Sequence, residues 1–382
     1  MQIKEKAVLY PYDNEFTPLI NHQYLLAKHS IDKIISPRGW GMCGKDAGSA
    51  FGCTNFGLKI CDNFEVACNE CSTIIFSDFK KDTSFEELIF PKIEYSINTK
   101  KNIINTIGIN EEIDKQIASL CERNNVLYIN YRKCKHNNCI NTIIDDQYIN
   151  LERISKIRTP IILVLGISEK TNKFEIQLSL RENFIRKGYK VGQIGTRSYC
   201  ELLGFHSMPQ FIYDTNISES KKITLFNYYV KKMELIEKPD VIIIGVPGGV
   251  MPFNDILTNK FGITAYEISQ AIIPDAVVFS TLYEKYLPSF YEDLSRSVKY
   301  KFGFDIDCFN LSNNQFDWES SKTKTTLVEN ITEFITYDSD YVTTNKCELS
   351  IPNYNILDNN DSNEMFEYIE NKLSGYGEVN YF

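Results

Sequence analysis

The fold of this chain is decided by residues 161–175, which read IILVLGISEKTNKFE. The apolar run 161–165 is typical of a buried strand, and the pattern that follows predicts a helix over 173–187. Between them lies a loop that begins at Gly166 and ends at Lys173. Such a loop aims backbone N–H groups and the positive end of a helix dipole at an anion, and the lysine adds a point charge. The segment therefore predicts a phosphate-binding loop.

The spacing of this loop departs from the common G-x-x-x-x-G-K-[ST] pattern. It reads Gly166-x5-Asn172-Lys173, which is one residue longer, and Asn172 stands where glycine is expected. Asparagine tolerates a left-handed backbone better than most residues, so the turn is expected to survive. The alternative is an ordinary strand-to-helix connection that carries a surface lysine.

The residue after the lysine also differs from the common pattern. Phe174 stands where a hydroxyl side chain normally binds Mg²⁺. Ser168, Glu169 and Thr171 are the remaining oxygen donors of the loop. We therefore interpret it as a degenerate phosphate loop, with ATP and Mg²⁺ as the cofactors that an intact loop would imply.

The two halves of the chain both alternate strands with helices, which predicts parallel sheets flanked by helices. We expect an α/β protein of two three-layer domains with mainly parallel sheets. Residues 1–150 form a Rossmann-like domain without a G-x-G-x-x-G motif, and residues 151–382 form a P-loop NTPase-like domain with a C-terminal extension. The predicted elements include helices over 19–28, 111–123, 221–237 and 286–300, and strands over 7–10, 31–36, 73–76, 126–129, 189–194, 240–244, 276–280 and 303–308.

Further candidates follow the predicted strands, because ligands of open α/β sheets collect at the carboxyl ends of strands. Thr196 and Arg197 follow the strand 189–194, and an arginine can grip an anion through two hydrogen bonds. His206 comes next, as a general acid or base or as a structural residue. The strand 240–244 runs into glycines with no acidic residue, so a Mg²⁺-positioning carboxylate is missing there. The predicted ligand-binding set is Gly166, Ser168, Glu169, Thr171, Asn172, Lys173, Thr196, Arg197, Gly248 and Gly249, with Lys173 and His206 as candidate catalytic residues.

Several of the eleven cysteines are clustered in the first half of the chain. Cys68 and Cys71 form a C-x-x-C pair that, with Cys61, would supply part of a metal site. The segment 134–139, which contains His136 and Cys139, offers further ligands. Buried apolar thiols and redox-active thiols are the two alternatives.

The net charge of −9 and the pI near 5.2 argue against nucleic acid or an anionic membrane as a partner. No apolar run reaches signal-peptide or membrane-spanning length. We therefore expect a cytoplasmic protein whose thiols are mostly reduced.

Residues 166–211 and 239–254 resemble a peptide maturation system protein family. Its members are encoded beside radical SAM maturases of Cys-rich ribosomal peptides, so the resemblance implies as partners a precursor peptide, the maturase or an acyl-carrier-related protein. The second half of the chain more distantly resembles dethiobiotin synthetase-type P-loop proteins, whose loop reads G-x5-G-K. Gly166 and Lys173 match that loop, whereas Asn172 does not.

Three functions remain open at this point. The first is an accessory protein of peptide maturation that binds a nucleotide or another anion. The second is an ATP-dependent enzyme that activates a carboxylate, in which Lys173 would stabilise phosphoryl charge, Arg197 would hold substrate and His206 would move protons. The third is a metal-containing partner of a radical SAM enzyme.

Overall fold

The computed structural model describes residues 4–79, 84–134, 153–254, 257–324, 333–344, 346 and 349–375. The chain divides into two compact units. The first comprises Met1–Asn138 and Ser198–Ser207, and the second comprises Cys139–Arg197 and Met208–Phe382. The predicted boundary between residues 150 and 151 lies outside the described residues.

The first unit contains a six-stranded parallel sheet with the strand order β3-β2-β1-β4-β5-β6. This is the doubly wound order of Rossmann-like domains, in which the strand order reverses between β1 and β4. The strands are β1 (Glu5–Tyr10), β2 (His29–Ile35), β3 (Ile60–Cys61), β4 (Thr73–Phe76), β5 (Asn102–Asn105) and β6 (Tyr128–Asn130). The helices are α1 (Thr17–Asn21), α2 (Phe64–Asn69), α3 (Phe85–Leu88), α4 (Phe90–Asn98), α5 (Glu111–Arg123) and α6 (Tyr131–Cys134).

The remaining strands are β7 (Ile161–Gly166), β8 (Val191–Gly195), β9 (His206–Ser207), β10 (Val241–Gly245), β11 (Ala276–Thr281), β12 (Cys308–Leu311), β13 (Asn314–Phe316), β14 (Phe334–Thr336) and β15 (Asn353–Tyr354). The helices are α7 (Lys173–Arg186), α8 (Glu219–Glu237), α9 (Ile263–Ala271), α10 (Pro288–Phe302), α11 (Trp318–Lys324), α12 (Ser339–Thr344) and α13 (Asn359–Ser374). The second sheet has the order β15-β12-β11-β7-β10-β8-β9, whereas β13 and β14 form a separate antiparallel pair. In this order β7 pairs in parallel with β10 on one side and with β11 on the other.

Alternating residues of β7 are buried on opposite faces of the second sheet. Leu163 and Leu165 pack into the cluster that contains residues of α8, α9 and α10. Ile162 and Val164 pack into the cluster that contains residues of α7 and α13. A strand covered on both faces reads as a continuous apolar run, which is the pattern of residues 161–165. The predicted fold class, with two parallel-sheet α/β domains, is confirmed.

Some predicted elements were wrong. The helix expected over 19–28 is the shorter α1, and His29 already begins β2. The strand expected over 303–308 is β12, which begins only at Cys308. Gly303 instead ends α10, because its left-handed backbone lets its N–H group donate to the Lys299 carbonyl oxygen. Within the described ranges no helix is both long enough and apolar enough to cross a membrane.

Candidate functional site at the loop between β7 and α7

Gly166 ends β7 at a point where no side chain fits. A Cβ atom here would lie 2.4 Å from Thr171 Oγ1, 2.9 Å from Lys173 Cδ and 3.1 Å from the Ser280 carbonyl oxygen. The next residue, Ile167, donates its N–H group to that same Ser280 oxygen at 2.9 Å. The loop therefore folds back over the end of its own strand, which explains the glycine.

Lys173 is the first residue of α7, and it is only 9% exposed. Its Nζ atom donates to the Ser168 carbonyl oxygen and lies 3.4 Å from Thr171 Oγ1. Burial lowers the pKa of Lys173 to about 8, and the nearby charge of Glu169 opposes this shift. The ammonium group is therefore mostly charged at neutral pH. The alternative of a surface lysine was wrong.

Asn172 adopts the left-handed backbone conformation that the sequence analysis predicted, with φ 56° and ψ 19°. Its side chain does not cap α7. Its Nδ2 atom donates to Asn313 Oδ1 at 2.9 Å, and Asn314 Nδ2 donates to the Lys170 carbonyl oxygen at 2.8 Å. Asn313 and Asn314 follow β12 and were missed by the sequence analysis, although two adjacent asparagines after a strand are a visible signal.

Phe174 places an apolar ring at the start of α7, where only 4% of it is exposed. Arg197, two residues beyond β8, lies over this ring with its Cζ atom 5.9 Å from the centroid. This contact places the predicted residue Arg197 beside the first turn of α7. Thr196 is half-buried beside it.

The turn after β10 packs against the loop as well. A Cβ atom at Gly249 would lie 2.5 Å from the Ile167 carbonyl oxygen and 2.8 Å from Ser168 Cα. Asn259 Nδ2 donates to the same Ile167 oxygen at 3.2 Å and to the Met251 carbonyl oxygen at 2.8 Å. Gly248 has a positive φ of 73°. The structure thus brings Gly249 to the loop, and its assignment as a ligand-binding residue stays a prediction.

His206 lies in β9 and is half-buried. It belongs to the segment Ser198–Ser207 of the first compact unit, whereas Lys173 belongs to the second. Its assignment as a general acid or base stays a prediction.

Cys68 and Cys71 are buried in the core of the first unit. The Cys71 thiol donates to the Cys68 carbonyl oxygen at 3.3 Å, and Cys68 Sγ lies 3.6 Å from Thr99 Oγ1. Hydrogen bonding from Cys71 holds the pKa of the Cys68 thiol below its usual value. Cys61 is half-buried against the same core.

No group of three or more His, Cys, Asp or Glu side chains that would hold a metal ion occurs in the described part of the chain. His136 and Cys139 lie outside that part. Cys61, Cys68 and Cys71 are all among the described residues, so the structure does not bring these three predicted ligands together as a metal site.

The fold defines the protein class: a two-domain α/β protein whose second sheet carries, between β7 and α7, a loop that ends at a buried lysine. No protein-family model matches the sequence, and no curated protein matches it. The structure is similar to a DUF1611 family protein from Anabaena variabilis over 96% of this chain and 100% of that chain, with a TM-score of 0.58 and 9% identity. At this identity the likeness shows the fold and not an activity.

Two further likenesses are partial. UDP-N-acetylglucosamine 3-dehydrogenase GnnA from Acidithiobacillus ferrooxidans matches 50% of this chain and 58% of its own, with 6% identity and a TM-score of 0.29. The signal recognition particle 54 kDa protein from Aeropyrum pernix, in complex with GDP, matches 58% of this chain and 46% of its own, with 13% identity and a TM-score of 0.27. These TM-scores are too low to carry an argument.

Replacing Gly249 with alanine tests the contact between the β10 turn and the loop. The new methyl group would meet backbone atoms of the loop, so we expect the free energy of unfolding to fall by ~1–3 kcal/mol. Gly375→Ala is the matched control, because a Cβ atom there meets nothing within 4 Å. Urea denaturation of both variants measures the difference. Equal stability of the two would contradict this packing.

The lowered pKa of Lys173 predicts a pH-dependent stability. The folded pKa is about 8 and the ordinary value is 10.5, so the unfolded chain binds more protons between these values. Stability rises with pH wherever the unfolded state binds more protons. The cost of burying the ammonium group is therefore present below pH 8 and is lost towards pH 10.5.

We expect the wild type to gain stability relative to Lys173→Met when the pH rises from 7 to 10. Thermal unfolding of both proteins at these two pH values measures this change. The exposed Lys190 is the control, and Lys190→Met should show no comparable trend. A pH-independent difference between the wild type and Lys173→Met would show that the lysine titrates normally.

Proposed function

We propose that the protein binds a phosphate-bearing ligand, such as a nucleotide, at the loop of residues 166–173. One observation carries this proposal: a buried ammonium group is held by neutral oxygens of its own loop. Lys173 bonds to the Ser168 carbonyl oxygen and to the Thr171 hydroxyl, and among the described residues no ion pair of Lys173 is found. The nearby carboxylate of Glu169 is exposed and does not form an ion pair with Lys173. A buried charge that lacks a direct ion pair is costly, and a bound anion would offset this cost.

The surroundings of the loop support the same ligand chemistry. The loop leads into the N-terminus of α7, whose positive dipole end favours anions. It also lies at the carboxyl end of β7, between β10 and β11, where open α/β sheets bind their ligands. The guanidinium of Arg197 adds a second positive charge at the start of the helix.

Replacing Lys173 with methionine should weaken the binding of ATP, ADP or GTP by roughly 10–100-fold, because a hydrogen bond to a charged group contributes roughly 1.5–3 kcal/mol. Calorimetric titration of the full chain measures the dissociation constants. Lys190 is exposed and precedes β8, so it serves as the control. The Lys190→Met variant should bind the nucleotides like the wild type. If Lys173→Met bound as tightly as the wild type, the ligand would lie elsewhere.

The setting that we propose for this binding is the maturation of a Cys-rich ribosomal peptide. The support is the resemblance of residues 166–211 and 239–254 to the peptide maturation system family. In this setting the protein acts as an accessory factor that contacts the precursor peptide, the radical SAM maturase or an acyl-carrier-related protein. The phosphate ligand would then accompany these protein contacts.

A fluorescently labelled Cys-rich precursor peptide, encoded beside the gene, tests this setting. We expect saturable binding to the full chain at roughly micromolar concentration under reducing conditions, measured by fluorescence anisotropy. A peptide of scrambled sequence is the control. Equal binding of the two peptides, or no binding of either, would argue against the role in peptide maturation while leaving nucleotide binding untouched.

A further inference from the structure

The position that normally holds Mg²⁺ in a phosphate loop is apolar in this protein. Phe174 follows Lys173 and is buried at the first turn of α7. An aromatic ring offers no oxygen ligand, and Mg²⁺ requires oxygen ligands in near-octahedral geometry. The side chain that would anchor the metal is therefore absent from this position.

The neighbouring hydroxyl groups are already engaged inside the protein. Ser168 Oγ donates to the Glu169 carbonyl oxygen at 2.8 Å, and Thr171 Oγ1 donates to the Ser168 carbonyl oxygen at 3.2 Å. Ser280 Oγ donates to the Thr171 carbonyl oxygen and accepts from Asn310 Nδ2 at 2.8 Å. A hydroxyl group that donates its hydrogen keeps lone pairs on its oxygen, but Lys173 Nζ lies 3.4 Å from Thr171 Oγ1 and Asn310 Nδ2 donates to Ser280 Oγ. A metal ion on either oxygen would therefore compete with a donor that is already there.

The loop and the neighbouring strand end supply little acidic charge. β10 runs into Val246-Pro247-Gly248-Gly249, which contains no carboxylate. Glu169 is the acidic residue of the loop itself, and it is exposed. The loop and the end of β10 thus do not supply the oxygen ligands of a protein-held Mg²⁺ ion. The further carboxylate, Glu175, is buried in the first turn of α7.

A cationic side chain, that of Arg197, lies next to Phe174. Arg197 lies over the face of the Phe174 ring, which is a favourable cation–π arrangement. A guanidinium group in contact with an aromatic ring can still direct N–H groups towards phosphate oxygens. The ring of Phe174 thus contacts a cationic side chain at the position that follows Lys173.

We propose that Arg197 supplies the positive charge that Mg²⁺ supplies in other phosphate loops, so that this site binds a nucleotide di- or triphosphate without a metal ion. The inference rests on the proposed function, because it concerns the same loop. Lys173 and Arg197 approach the phosphates from the start of α7 and from the end of β8, respectively. The charge is fixed in the protein rather than brought by the ligand.

Calorimetric titration of the full chain with ADP and with pyrophosphate, in EDTA and in MgCl₂, tests the inference. We expect ADP to bind at least as tightly in EDTA as in Mg²⁺. Pyrophosphate shows whether the phosphates alone suffice. Binding that becomes tenfold or more tighter with Mg²⁺ would overturn the inference and keep the proposed function. Absence of binding in both buffers would instead overturn the proposed function and the inference with it.

Variants of Arg197 test its role directly. In EDTA, Arg197→Ala should weaken ADP binding at least tenfold, and Arg197→Lys should recover part of the loss. Arg186→Ala, at the other end of α7, is the matched control and should bind like the wild type. Equal binding of Arg197→Ala and the control would contradict the role of Arg197.

Glu169→Gln distinguishes a site that works without metal from a site in which Glu169 holds Mg²⁺. If the site works without metal, removing this carboxylate leaves ADP binding in MgCl₂ unchanged or tighter, because an anion near the phosphates is lost. If Glu169 held Mg²⁺, the same variant would bind more weakly in MgCl₂ than the wild type. That weakening would overturn the inference. Thermal unfolding of each variant confirms that it is folded.

Discussion

The buried ammonium group of Lys173 is the constraint around which the loop between β7 and α7 is built. A charge in this position needs oxygen partners, and the loop turns back so that the Ser168 carbonyl and the Thr171 hydroxyl face it. This path leaves no room for a side chain at Gly166. It also requires a left-handed residue just before the helix, which Asn172 provides. The sequence of the loop follows from placing one cation at the start of α7.

The loop keeps this shape because the neighbouring strands hold it from two sides. Beyond β10, Gly249 lies against the loop backbone and Asn259 donates to the Ile167 carbonyl oxygen. Beyond β12, Asn313 and Asn314 bond to the side chain of Asn172 and to the loop backbone. Both contacts depend on the strand order, which places the ends of β10, β11 and β12 near the end of β7. A preorganised loop loses little conformational entropy when it binds a ligand.

Structural features whose signal lies in adjacent residues could be predicted from the sequence. The apolar run of β7, the glycine at its end and the helix that begins at Lys173 could all be read from adjacent residues. The strand β5 was missed because its two apolar residues stand between asparagines. The contact of Asn313 with Asn172 was missed because it joins segments that are distant in sequence, and periodicity carries no information about such pairs. The left-handed Asn172 could be predicted, but the partner of its side chain could not.

The loss of the hydroxyl and the loss of the acidic strand end belong together. A Mg²⁺ ion needs several oxygen ligands at once, so a site that has lost one ligand gains little by keeping the others. The lysine is different, because its charge attracts an anion without any metal. In this protein Lys173 and the arginine over Phe174 remain, whereas the groups that serve the metal do not. The buried cation occurs together with the glycine and the left-handed asparagine that accommodate it, and this combination suits an anion more than a metal ion.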